Sequence, residues 1–125
     1  MKHLIKKLTE TLSPSGYESV IRDVIMDEIK DLADEIRVDA LGNLIARKGS
    51  GGKKIMLAAH MDEIGLIVNH VDENGFARFS PLGTFLPHTL VGARVRFLNG
   101  AYGVVGTEYL KVETQKKLAP LDKMF

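Results

Sequence analysis

The stretch IMLAAHMDEIGLIV, Ile55 to Val68, decides how the rest of the chain is read. It opens on Ile55-Met56-Leu57-Ala58-Ala59, an apolar run of the length of a buried strand, and closes on a second such run, Ile64 to Val68. His60, Asp62 and Glu63 stand between the two. An unpaired charge buried there costs several kcal/mol, roughly the stability of a small domain, so these groups need partners or a ligand. A strand ending in His-x-Asp delivers both side chains to its carboxyl end, where open α/β sheets bind ligands. A neutral imidazole is the commonest metal ligand, and a carboxylate close by accepts its other ring N–H, fixing the tautomer and raising the basicity of the ligating nitrogen. On that reading His60 ligates and Asp62 orients it. Spacing alone does not decide, because a partly buried histidine paired with an aspartate for structural reasons carries the same signature.

Upstream, Leu4, Ile5, Leu8 and Leu12 recur at helical spacing up to Pro14 and Gly16. A second helix is expected from Val20, Ile21, Val24, Ile25, Ile29 and Leu32, with charges on its other faces, as in a packed cover. From Glu35 the period changes to two: EIRVD, the turn ALGN, LIARK, the loose GSGGK and then KIMLAAH. Two helices followed by three strands predict an α/β sheet with helices on its face. Beyond Asp62, GLIVNHV, GFARFS, ARVRF and YGVVGTE read as short strands, paired through DENG and LNGA, each with the Asn-Gly dipeptide of tight hairpins. Four such strands without a helix between them resemble half of a small barrel or sandwich. The boundary is placed near His70, giving an α/β part over residues 1–70 and an all-β part over 71–125.

Composition narrows the chemistry. In 125 residues, 17 Lys and Arg face 16 Asp and Glu, and no run of like charges marks a nucleic-acid or membrane-binding tail. With no cysteine, disulfides, thiolate metal sites and a cysteine nucleophile are excluded, and a metal has only His, Asp and Glu to hold it. MKHLIKKLTETL spaces its apolar residues between charges and is neither a signal peptide nor a membrane span, so a cytoplasmic location is expected.

LSPSGYE after a first helix, DALGNLIARK as a hairpin, AAHMDEIG at a strand end and GFARFSPLG after an Asn-Gly turn occur together in this order. In that combination the chain resembles the tetrahedral dinuclear metallo-aminopeptidases, also known as the cellulase M, endoglucanase or FrvX-like family and as deblocking aminopeptidases. The resemblance runs over nearly all 125 residues. It implies the amino-terminal part of a zinc-aminopeptidase-like α/β domain followed by part of a small PDZ-like β-barrel that makes subunit contacts. It further implies two divalent metal ions, zinc or cobalt, in the full-length enzyme, with His60 a ligand of one and Asp62 the catalytic carboxylate that orients and polarises it. Glu63 and Gly65 belong to the motif without a catalytic role. The family's bridging Asp, its Glu-Glu pair, a further carboxylate and a final His have no counterpart here, and LAPLDKMF is expected to be a point where a family chain runs on.

His3, on a polar helix face, His70, beside Asp72 at the exit of a strand, and His88, after Pro87 in a loop, are read as solvated or capping histidines and do not make up the deficit. A catalytic zinc takes three protein ligands, and a two-metal site more. The chain is therefore expected to be an amino-terminal fragment of a peptide-hydrolysing aminopeptidase, inactive and without stably bound metal by itself, joined to further copies or a complementing chain. The alternative is a truncated non-catalytic paralogue or split subunit acting through its β part. Glycoside hydrolysis by Asp62 and Glu63 is disfavoured, because neighbours on an extended strand point to opposite faces.

Overall fold

The computed structural model describes residues 1–107. They divide into two compact units, residues 1–84 and the part of the second that begins at Phe85. Among the described residues no helix is long and apolar enough to cross a membrane.

In the first unit α1 (Lys2–Glu10) and α2 (Ser19–Ile29) match the two helical patterns. Each stops short of its last apolar residue. Thr11 is already extended, with its hydroxyl donating to the Lys7 carbonyl at 2.7 Å, so Leu12 leaves the helix as the chain turns toward Pro14. α2 ends before Leu32, which is exposed. Ile21 on α2 is 3% exposed and is one of two buried apolar residues among those described, the other being Val105 in the second unit. Lys7 of α1 reaches Glu28 of α2 at 2.7 Å, an exposed ion pair that adds little.

All the described strands pair as hairpins: β1 (Glu35–Val38) with β2 (Leu44–Arg47), β3 (Gly65–Val71) with β4 (Ala77–Leu82), and, in the second unit, β5 (Arg94–Arg96) with β6 (Tyr102–Val104). The same connection closes each. Gly42, Gly75 and Gly100 donate to the carbonyls of Asp39, Asp72 and Phe97 at 2.9 to 3.0 Å and take φ of +85° to +90°. This is a type I turn followed by a left-handed glycine. The two Asn-Gly dipeptides therefore do not form the two-residue turn they suggest, because neither Asn74 nor Asn99 has a positive φ. Asp39 and Asp72 each use Oδ1 to accept two backbone N–H groups of their own loop, at 2.8 to 3.0 Å. Phe97 has no such acceptor, and Asn99 instead accepts from the Ala101 N–H at 3.0 Å.

β3 runs unbroken through His70, which stands opposite Arg78, with a register shift between Val68 and His70. In the second unit a helical turn, α3 (Pro87–Leu90), contains His88, which the sequence placed in a loop. Backbone bonds from Gly92 and Val105 extend the β5–β6 hairpin to Ala93. Glu108, the end of the expected last strand, and LAPLDKMF lie outside the described residues.

The expectation of a buried strand ending at His60 is overturned. Residues 53–62 form no strand, and no backbone hydrogen bond ties Ile55 to His60 to another described segment. Ile55, Met56 and Leu57 are 88%, 87% and 94% exposed rather than buried. A hairpin closes through a local turn, whereas a central strand exists only through neighbours brought from far along the chain. The described residues supply no such neighbour, so the run keeps its apolar composition without its sheet.

Candidate functional site

The segment after the unpaired run is held firmly. Ser13 and Glu63, 50 residues apart, meet twice: the Ser13 N–H donates to Glu63 Oε1 at 2.9 Å, and the Glu63 N–H to the Ser13 carbonyl at 3.0 Å. This is part of an isolated parallel bridge between Pro14 and Glu63. Ser13 is 1% exposed, and its hydroxyl accepts the Ile21 N–H at 2.9 Å. That N–H lies in the first turn of α2, where no helical carbonyl serves it, so Ser13 caps the helix from outside. Gly65 completes the closure. A Cβ there would stand 2.6 Å from Pro14 Cβ, a distance that only glycine permits.

Within this clasp a turn over Pro14–Tyr17, closed by the Tyr17 N–H on the Pro14 carbonyl at 2.8 Å, has Gly16 at φ +88°. A positive φ at the third position is what glycine allows in a type II turn. The turn presents Ser15, whose hydroxyl donates to Asp62 Oδ2. The other oxygen, Oδ1, lies 3.2 Å from His60 Nδ1, which also stands 3.1 Å from the Asp62 carbonyl. Both neighbours of Nδ1 are acceptors, so in the neutral ring the hydrogen belongs on Nδ1 and Nε2 keeps its lone pair. His60 is 87% exposed and Asp62 34%. The Ser15 hydrogen bond first, then that of His60, hold the Asp62 carboxyl below its ordinary value of 3.8, against the opposing effect of desolvation.

The structure thus joins His60 to Asp62 and gives Glu63 a different task, bracing Ser13. His3 lies on α1, His70 on β3 and His88 in the second unit. His60 does not sit at a strand end as expected, since the strand that would carry it is not formed. Sequence reading passed over Ser13 and Ser15 as chemistry. The available signal was the pairing of SPSG with HMDEIG, which only a contact between distant segments turns into a site. An imidazole oriented through Nδ1 with Nε2 outward fits one position of a metal site. No group of three His, Asp or Glu able to hold a metal occurs among the described residues.

Residues 42–125, which include His60 to Gly65, match the model of the M42 glutamyl aminopeptidase family. The chain belongs to that family. The M42 family is one of metal-dependent aminopeptidases. Lysyl aminopeptidase of Pyrococcus furiosus is 49% identical over 107 residues, 82% of this chain and 31% of its own length. Among solved structures, the TET aminopeptidase of the marine sediment archaeon Thaumarchaeota archaeon SCGC AB-539-E09 superposes with a TM-score of 0.84 at 31% identity, covering 95% of this chain and 36% of its own. The TET1 peptidase of Pyrococcus horikoshii, which can assemble into a tetrahedron or a large octahedral shell, gives 0.77 at 40% identity, covering 95% and 37%. The M42 chain described here therefore spans about a third of the length of the relatives it matches.

Proposed function

We propose that this chain is the amino-terminal portion of a metallo-aminopeptidase that hydrolyses amino-terminal residues of peptides, with His60 as a metal ligand and Asp62 as the carboxylate that orients it. The observation that carries this is the Asp62–His60 contact at 3.2 Å, braced by Ser15 and located in a family match that runs through it. In this reading His60 donates its Nδ1 hydrogen to Asp62 and directs Nε2 outward, and Asp62 stays ionised to hold that orientation. Two divalent ions, zinc or cobalt, when bound, supply polarisation of the scissile carbonyl and acidify water. The remaining ligands come from polypeptide that this third of the family length does not contain, so the chain alone neither hydrolyses peptides nor holds metal tightly.

The full protein divides into a catalytic α/β part, residues 1–70 here, and a PDZ-like β part from residue 71, through which it forms a homo-oligomer or meets a complementing chain in the cytoplasm. The likeness to TET peptidases supports assembly. The exposed run at Ile55 to Leu57 supports a covering chain and gives the alternative, a non-catalytic or split subunit, its one specific support. Leucyl- and glutamyl-anilide hydrolysis, assayed with the chain alone and with a polypeptide carrying the downstream family ligands, separates them. The proposal expects activity only in the mixture, abolished by chelation and restored by zinc or cobalt. Activity of the chain alone overturns its fragment character, and an inert mixture in which the two chains associate favours the non-catalytic subunit.

A further inference from the structure

We propose that Ser15 is a positioning residue for His60: its hydroxyl fixes one oxygen of Asp62, so that the other is held against the imidazole Nδ1 and Nε2 is left to bind a divalent cation. The inference rests on the reading of His60 as a ligand.

At 87% exposure, His60 has little packing to set its ring, so its orientation depends on what Nδ1 meets. Nδ1 meets Asp62 twice, through the carboxylate at 3.2 Å and the main-chain carbonyl at 3.1 Å. The carbonyl is fixed by the chain, whereas the carboxylate turns about its last torsion, which is broad and shallow. Ser15 removes that freedom by engaging Oδ2 while Oδ1 faces His60. The hydroxyl itself is placed by the clasp. Ser13 is bonded to Glu63 and Ile21, the turn over Pro14–Tyr17 is closed, and Pro14 rests against Gly65. Neither Ser13 nor Glu63 replaces Ser15, because the Ser13 hydroxyl serves the Ile21 N–H and Glu63 Oε1 accepts the Ser13 N–H.

Long-range nitrogen–proton NMR of the ¹⁵N-labelled chain reads the His60 tautomer directly, with backbone spectra reporting the fold. The native chain is expected to show Nδ1–H, Ser15→Ala to shift the balance toward Nε2–H, and Ser15→Thr, which keeps a hydroxyl, to hold the native pattern. Zinc titrated into the same samples is expected to bind about tenfold more weakly to Ser15→Ala, the low end of the effect of residues behind a metal ligand. An unchanged tautomer in folded Ser15→Ala overturns the inference and leaves the ligand reading standing. If the alanine variant does not fold, Ser15→Thr decides, since loss of the Nδ1–H form despite a retained hydroxyl contradicts the inference. A tautomer that follows Ser15 while zinc leaves the His60 resonances unmoved upholds the positioning role and removes the ligand reading.

Discussion

The two flanks of His60 differ sharply. Ile55 to Leu57 on one side are apolar, exposed and tied by no backbone hydrogen bond to another described segment, while Asp62 to Gly65 on the other are bonded to a loop some 50 residues earlier. Hydrophobicity is greater on the flank that fails to form structure. The lesson is that an apolar run states a demand for burial, whereas a polar segment such as Ser13 to Ser15 with Asp62 and Glu63 carries its own partners. The held flank is closed by bonds to a distant loop, and the other waits for a sheet.

Substituting Gly65 attacks the held flank most severely. Gly65→Ala places a methyl 2.6 Å from Pro14 Cβ, and overpacking of that kind costs about 1 to 3 kcal/mol. Urea unfolding is expected to show a loss in that range, together with loss of protection of the Glu63 amide from hydrogen exchange. Ser13→Ala follows, because it leaves the Ile21 N–H in the first turn of α2 without its acceptor, a loss of about 1 to 2 kcal/mol in the same measurement.

How much of this was legible turns on sequence separation. The helices, the hairpins and the His60–Asp62 pair rest on residues close in the chain, and their patterns marked them. The Ser13–Glu63 bridge rests on an encounter across 50 residues that no local period encodes. The strand expected at Ile55 and not formed has the same origin, since its composition could be read and its neighbours could not. Even the Asn-Gly turns differed for a local reason, one extra residue that moved the left-handed position onto glycine alone.

Acid sharpens the contrast between held carboxylates and exposed apolar surface. Asp39 is kept below its ordinary 3.8 chiefly by the Asn43 side chain, and Asp62 chiefly by Ser15. A carboxylate whose folded value is depressed contributes stability above its unfolded value, and that contribution disappears as pH falls through the folded one. The contribution of these two groups is therefore expected to be present and constant near neutrality and to decline below about pH 4. Urea midpoints of Asp39→Asn, measured from pH 7 to pH 2.5, are expected to show a shallower acid decline than the native chain. At the open flank the expected effect on folding is smallest. Leu57→Ser changes stability by less than about 0.5 kcal/mol, because Leu57 has almost nothing to lose. Sedimentation is expected to show weaker self-association, and a large loss of stability would mean that the run is covered in solution.

The central claim is that His60, turned by Asp62, presents Nε2 to a metal, and zinc titration followed by NMR at every histidine tests it most directly. The claim predicts that the Nε2 resonance of His60 moves first and furthest, while His3, His70 and His88 stay near their starting positions. It also predicts that Asp62→Asn reduces the His60 response, since the amide no longer offers the imidazole a carboxylate. Zinc that shifts His70 or His88 and leaves His60 still would contradict it.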